Sequence, residues 1–427
     1  MEKVILMGLE LPETEDFQTS MEELKELARA CELLVEGVYT QRAASVNKAY
    51  YIGTGKVSEL KDEIGRVKAE LVIFNNALSP MQLRNLNQAL EVPVMDRTTL
   101  ILEIFSKRAR TREAKLSVEV ASLNYALPRL VGLHDALSRQ GGTSGAMSSR
   151  GAGEKKLELD RRHIEARLAA LRRELAHVKA ERETRRSKRQ KSSTPLVSLV
   201  GYTNAGKSSI MNGFMSMYGA PEEKKVYEED MLFATLDTTI RRIDDNEGKS
   251  YLLSDTVGFI SELPHHLVDA FRSTLEEARD ADLLLVVADY SDEHYREHIK
   301  VTRETLNELG AGDIPVLYVY NKCDRVSSGG KTAPYPYEAE GEVYICAKEE
   351  SSLHFLDEVI KKHLFGDRQV CELLVPFDKG SVLNVLKNEA EVLKTDYIPE
   401  GIAITAVLSE ELMGRYREYL VNVEKSK

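Results

Sequence analysis

Gly201-Tyr202-Thr203-Asn204-Ala205-Gly206-Lys207-Ser208 follows directly on the apolar run at 196–200 and fits the spacing G-x-x-x-x-G-K-[ST]. Few stretches leave a chain so little choice. The apolar run needs a buried strand, the two glycines need a tight turn, and the residues after Lys207 open a helix. A loop of this kind closes its backbone N–H groups around a β-phosphate, and glycine is needed where a Cβ would block the approach. Lys207 is placed to reach the β- and γ-phosphates, and the Ser208 hydroxyl to enter the shell of a Mg²⁺ ion.

Three later segments refine this reading. Asp255-Thr256-Val257-Gly258 ends a second apolar run at 251–254 and has the form D-x-x-G. An Asp there is suited to hold the Mg²⁺ shell through a water, and the Gly258 amide to sense a γ-phosphate. Asn321-Lys322-Cys323-Asp324 ends the run at 314–320 with the spacing N-K-x-D. The Asp324 carboxylate accepts from both the ring N–H and the exocyclic amine of guanine. Adenine offers neither donor at that edge and would leave the carboxylate unpaired. Lys322 is expected to lay its stem along the base and tie back to the phosphate loop. Cys346-Ala347-Lys348, after the run at 342–345, offers backbone amides to the guanine oxygen. The order and spacing of these segments imply GTP.

Between the phosphate loop and Asp255 lies Phe233-Ala234-Thr235-Leu236-Asp237-Thr238-Thr239. A switch threonine belongs here, its hydroxyl on Mg²⁺ and its backbone on the γ-phosphate. Thr235, Thr238 and Thr239 all qualify by chemistry. Many GTPases follow D-x-x-G with a glutamine that orients the attacking water. Phe259 stands there instead, so it is expected to pack in a hydrophobic turn. Intrinsic hydrolysis is then expected to be slow and to depend on a partner.

At 427 residues the chain exceeds one typical domain. Its longest strongly apolar run, 283–288, is far too short to span a bilayer, and the first residues lack the pattern of a secretory signal. Four cysteines without C-x-x-C spacing read as isolated thiols of a cytoplasmic protein. The net charge of −11 hides an asymmetry: residues 155–191 hold fourteen Lys/Arg against six Asp/Glu. Leu157, Ile164, Leu168, Leu171, Leu175 and Val178 recur there at helical spacing. A basic helix on an acidic chain suits a polyanion, RNA above all. Before it, 139–154 is rich in Gly and Ser and reads as a flexible loop, joining helices at roughly 98–137 and 155–189.

The first hundred residues alternate strand runs (4–9, 33–38, 71–74, 92–95) with helical ones (21–30, 79–90), a small α/β layer. Tyr51-Ile52-Gly53-Thr54-Gly55-Lys56 lacks phosphate-loop spacing and reads as a turn opening a helix at 57–67. The tail reads as strand 372–377, helix 381–393, strand 402–408 and helix 410–419.

The chain resembles the HflX family of translation-related GTPases over nearly its whole length. The residues that carry this are Tyr51 to Lys56, Arg150-Gly-Ala-Gly-Glu154 with the helix start after it, Gly201 to Ser208, Phe233 to Asp237 and Asp255 to Ile260. The resemblance implies four parts: an N-terminal α/β subdomain (1–115), a two-helix coiled coil with its Gly-rich basic loop (116–192), a P-loop GTPase domain (193–366) and a small C-terminal α/β domain (367–427). It also implies binding to the large ribosomal subunit and its rRNA, GTP hydrolysis stimulated there with Mg²⁺, and the splitting or rescue of stalled ribosomes under stress. A monomer is expected. Thr235 is the switch threonine by this resemblance, which leaves Lys207, Thr235 and Gly258 as the catalytic set and Ser208 with Thr235 as the metal ligands. Two departures stand out: Cys346 where the family commonly has Ser, and Gly151-Ala152-Gly153-Glu154-Lys155 where it has G-P-G-E-T. The alternatives are a large-subunit assembly GTPase and a nucleotide-gated RNA-binding switch.

Overall fold

The computed structural model describes residues 1–13, 16–140, 147–190, 194–219, 232–233, 238–244, 249–260, 278–328, 331–332, 334–366, 369–408 and 410–422. The first α/β layer is built from β1 (Lys3–Glu10), α1 (Phe17–Ala30), β2 (Leu34–Arg42), α2 (Thr54–Val67), β3 (Leu71–Phe74), α3 (Pro80–Leu90) and β4 (Val94–Asp96). Its four strands are all parallel, in the order β2-β1-β3-β4. Parallel strands are covered on both faces, which is why β1 and β3 read as unbroken apolar runs. The Tyr51–Lys56 segment is a turn, with Gly53 N-capping α2 and its amide donating to Gln41 Oε1 at 2.9 Å. Helix α2 begins three residues earlier than the periodicity suggests.

The helical stretch expected at 98–137 is two helices. α4 (Arg97–Arg108) stops at extended Ala109, and α5 (Arg112–Gln140) restarts where the Thr111 hydroxyl accepts from the Ala114 amide at 3.2 Å. A capping hydroxyl competes with the helical ladder and marks the break. Of the Gly/Ser-rich stretch expected as a loop, 147–154 are already helical in α6 (Met147–Gln190), and 141–146 lie outside the described residues. Most helical stability comes from the packed face, and α5 and α6 lie antiparallel along a shared seam. Leu168 and Leu171 are buried in that seam, while Glu113–Arg182, Glu119–Arg167 and Asn124–Arg172 bridge it from outside. Asp96 caps α4 and takes the guanidinium of Arg129 from α5 and the hydroxyl of Tyr125, so the hairpin is bolted to the first layer.

A seven-stranded sheet follows, ordered β12-β13-β9-β8-β5-β7-β6. Its strands are β5 (Leu196–Gly201), β6 (Thr239–Ile243), β7 (Tyr251–Asp255), β8 (Leu283–Asp289), β9 (Val316–Asn321), β12 (Tyr337–Ala339) and β13 (Glu342–Tyr344). A short hairpin, β10 (Ser327–Ser328) with β11 (Lys331–Thr332), lies outside it. Helices α7 (Lys207–Met217), α8 (Tyr295–Glu308) and α9 (Glu350–Phe365) belong to this region. The central strands are parallel, so the phosphate loop, the D-x-x-G segment and the N-K-x-D segment all leave the same edge. One apolar cluster runs from Leu24, Ile101 and Phe105 of the first layer into Tyr202, Phe233, Val257 and Phe259 beside the phosphate loop. The two layers therefore share a core.

The tail forms a four-stranded antiparallel sheet, β15-β16-β14-β17, from β14 (Gln369–Val375), β15 (Glu391–Ile398), β16 (Gly401–Leu408) and β17 (Leu420–Asn422). Helices α10 (Ser381–Glu389) and α11 (Glu410–Arg415) accompany it. Both helices are shorter than expected. Helix α10 ends at Ala390, and the residues beyond it pair with β16 as β15. Val392, Thr395, Tyr397 and Ile398 favour the extended state once a partner strand is present.

Candidate nucleotide site

β5 delivers the loop and α7 receives it, with Lys207 as the first helical residue. Both motif glycines are sterically required. Gly201 has φ 142°, and a Cβ there would lie 2.2 Å from the Val287 carbonyl oxygen; Gly206 has φ 97°, and its Cβ would lie 2.1 Å from Asn321 Nδ2. Lys207 Nζ donates to the carbonyls of Gly201 at 2.9 Å and Tyr202 at 2.7 Å. Burial pushes its pKa down to about 8, against the pull of the Asp255 carboxylate. The Ser208 hydroxyl donates to Asp255 Oδ2 at 2.8 Å, and Asp255 is fully buried. A hydroxyl beside a carboxylate is a donor set for a hard cation.

The D-x-x-G segment is zipped to the phosphate loop. The Phe259 amide donates to the Gly201 carbonyl at 3.1 Å, and the Thr203 amide to the Phe259 carbonyl at 2.8 Å. The Thr256 hydroxyl is turned back to the Leu199 carbonyl at 2.7 Å. Phe259 is buried in the shared core, as its chemistry suggests. Phe233 joins it there, its ring centroid 4.6 Å from that of Phe105 in α4. Ala234, Thr235, Leu236 and Asp237 lie outside the described residues. Thr239 opens β6.

The Asn321–Asp324 and Cys346–Lys348 segments converge on the same edge. Asp324, Cys346, Ala347 and Lys348 line one pocket with Ser209, Asn321, Lys322 and Arg325. Cys323 turns inward, its thiol donating to the Tyr320 carbonyl at 3.4 Å, and burial pushes its pKa up to about 11. The Cys346 amide donates to the Ser352 hydroxyl at 3.2 Å, and burial pushes the Cys346 thiol up as well. One expectation is corrected. Lys322 does not tie back to the phosphate loop; it pairs with Asp289 at the end of β8 at 2.8 Å. Asn321 makes the tie, its Nδ2 donating to the Ala205 carbonyl at 3.0 Å while its Oδ1 accepts from the Ala347 amide at 2.9 Å. A charged ammonium favours the nearby carboxylate over a loop carbonyl, whereas an amide has both a donor and an acceptor to bridge two loops. Asp289 was legible only as an acid ending an apolar run.

Sequence reasoning also missed how Tyr202 is used. Its hydroxyl donates to Glu23 of α1, which also takes the guanidinium of buried Arg97. Its ring stacks on His298 of α8 with centroids 3.8 Å apart, and the His294 ring lies within hydrogen-bond reach of the Thr19 hydroxyl at 3.3 Å. Burial holds the His298 pKa down, opposed by Asp292. These partners are far apart in sequence, so no local signal points to them.

A phosphate loop closing on a buried aspartate, on a mostly parallel sheet whose N-K-x-D segment lines a pocket at the same edge, defines a P-loop GTPase. Three family models match: "GTP-binding GTPase N-terminal" over 18–106, "GTP-binding GTPase Middle Region" over 108–189 and "50S ribosome-binding GTPase" over 196–322. The chain is 43% identical over 421 residues to the GTPase HflX of Caldanaerobacter subterraneus, covering 99% of this chain and 94% of that one. It is 38% identical to the GTPase HflX of Escherichia coli, covering 89% and 87% respectively. Among solved structures it is similar to one described as SsGBP in complex with GDP, 25% identical, covering 85% of this chain and 98% of that one, with a TM-score of 0.47. The chain belongs to the HflX family of GTPases, and it hydrolyses GTP.

Proposed function

We propose that this chain is a GTP-driven factor of the cytoplasm that binds the large ribosomal subunit through its rRNA and splits or rescues stalled ribosomes under stress. The observation that carries this reading is the fusion, through one apolar core, of a GTP site to a long helical hairpin whose second helix carries the basic excess. A hydrolytic switch moves what is packed against it, and a basic hairpin gives it a polyanion to move against. The family model's own description, a 50S ribosome-binding GTPase, points to the same partner. Among the described residues no helix is long and apolar enough to cross a membrane. The division 1–115, 116–192, 193–366 and 367–427 serves this reading: a docking layer, an rRNA-binding hairpin, the engine and an accessory module, working as a monomer.

Within the site, Lys207 supplies the charge for the β- and γ-phosphates, and the Gly258 amide reports the γ-phosphate. Asp324 reads guanine beside Lys348; the amides of Cys346 and Ala347, expected to meet the guanine oxygen, are instead taken by the Ser352 hydroxyl and Asn321 Oδ1 and brace the pocket. Ser208 and Asp255, touching each other, would hold Mg²⁺ together with Thr235 as the switch ligand, and a bound ion would supply positive charge beside the phosphates. Phe259 contributes no hydrogen bond to the attacking water, which makes the intrinsic rate low and a ribosomal partner necessary. Sedimentation of purified ribosomes with the protein and a non-hydrolysable GTP analogue tests the proposal. Separated subunits are expected. Intact ribosomes, with the protein bound only to precursor large subunits, would instead make it an assembly factor.

A further inference from the structure

Phe259 leaves the γ-phosphoryl end of the site one hydrogen-bonding group short, and one buried hydroxyl beside it is short of a partner. Thr203 occupies the third position of the phosphate loop and is buried, and its Oγ1 makes no hydrogen bond among the described residues. Three neighbouring side-chain donors are committed. Lys207 sits on two carbonyls, Ser208 donates to Asp255, and the Thr256 hydroxyl donates to Leu199. The Thr203 backbone is held in place by its amide's bond to the Phe259 carbonyl at 2.8 Å. Its side chain packs directly on Gly258: a Cβ at Gly258 would meet both Cα and Cγ2 of Thr203 at 2.7 Å. In a GTPase the amide of that glycine faces the γ-phosphate. The residue that bears the orphaned hydroxyl therefore lies, through its Cα and methyl, against the glycine that marks the reacting end of the nucleotide.

Valine has the same shape and would bury no polar atom, so the hydroxyl is unfavourable here unless something that binds later satisfies it. A hydroxyl both accepts and donates, which is what a group shared between a water and a phosphate oxygen requires. We propose that the Thr203 hydroxyl is a catalytic group of this GTPase: it accepts from the attacking water and donates to a γ-phosphate oxygen, the positioning that a glutamine supplies elsewhere. The water oxygen forms its bond to the γ-phosphorus as the bond to the β–γ bridging oxygen breaks. The electron pair of that bond leaves with GDP, and the water's proton ends on inorganic phosphate. Thr203 keeps its own proton throughout.

The inference rests on the GTPase activity and not on the ribosomal role. Its test uses the full chain with Thr203→Val, which keeps the shape, and Thr203→Ser, which keeps the hydroxyl. GDP affinity and single-turnover hydrolysis of prebound GTP are measured separately, with and without purified large subunits. The Val variant is expected to bind GDP about as tightly as wild type but to hydrolyse GTP on the order of a hundredfold more slowly, as when one transition-state donor is removed. The Ser variant should stay close to wild type. Ligand-free Val variant should unfold at the same temperature as wild type or above it, and gain less than wild type from a non-hydrolysable GTP analogue. Wild-type hydrolysis by the Val variant would overturn the proposal. So would a Ser variant as slow as Val, which would assign the effect to the methyl group, or a Val variant that fails to bind GDP, which would make the role one of ground-state binding.

Discussion

Lys207 shows how one residue's surroundings set its chemistry. A lysine buried on two carbonyls loses part of its preference for the charged form, and its pKa falls to about 8. Nucleotide phosphates restore that preference. Above pH 8 the free protein therefore holds Lys207 partly neutral, and GDP binding should take up a proton. At pH 6.5 it should take up little. Calorimetric titrations in buffers of different ionisation enthalpy read this uptake directly, and the same uptake in Lys207→Met would refute the assignment. Asp324 makes a second residue-scale prediction. Asp324→Asn replaces one acceptor with a donor against the guanine edge and should weaken GTP binding by about 1–3 kcal/mol, as a mispaired buried polar contact does. Xanthine nucleotides, which present the opposite pattern, should gain, and a competition titration with GTP and XTP measures both shifts.

At the scale of elements, the hairpin of α5 and α6 carries two predictions. Asp96 holds the N-terminus of α4, Arg129 and the Tyr125 hydroxyl at once. Asp96→Ala would leave a nearly buried guanidinium without its counter-charge and should cost about 3–5 kcal/mol, read as a lower midpoint in urea unfolding. The basic end of α6 tests the partner. Arg182 pairs with Glu113 across the seam at 3.2 Å, so reversing it would also loosen the hairpin. The cleaner variant reverses only Arg185, Arg186, Lys188 and Arg189 to Glu. Ribosome-stimulated hydrolysis should then be lost while GDP affinity is kept, and the salt dependence of ribosome binding should flatten. Continued stimulation with an unchanged salt response would reduce this stretch to a solvated helix end.

On the scale of the whole molecule, the first layer and the GTPase layer meet at the nucleotide loop itself. Tyr202 lies between Glu23 and His298, its backbone carbonyl takes Lys207, and its neighbour Thr203 is paired with Phe259. Phe233 packs on Phe105 of α4 from the other side of the interface. Glu23→Gln weakens the contacts to both Arg97 and Tyr202, and it should both destabilise the chain and speed GDP release. Release of a fluorescent GDP analogue, compared with thermal unfolding of the same variant, separates the two effects. Unchanged release would mean that the layers are joined without influencing the nucleotide.

Much of this protein was readable from its residues because its chemistry is local. The phosphate loop, D-x-x-G, N-K-x-D and Cys346 to Lys348 each sit in a few consecutive positions, and an apolar run before each one places it at a strand end. Parallel strands then bring those ends to one edge, as the apolar runs imply. Boundaries set by partners did not. β15 begins at Glu391, inside the end of the stretch 381–393 that suggested one helix, because strand pairing with β16 outweighs the local preference. The Gly-rich residues 147–154 are helical beside a partner helix, and α4 and α5 part at a capping threonine. The tie between Asn321 and Ala205, the Lys322–Asp289 pair, the Tyr202–Glu23 contact and the orphaned Thr203 hydroxyl join or isolate groups that no spacing relates. Short-range patterns single out the candidate residues for the nucleotide; only packing between distant segments decides what holds those residues and which buried polar groups are left without a partner among the described residues.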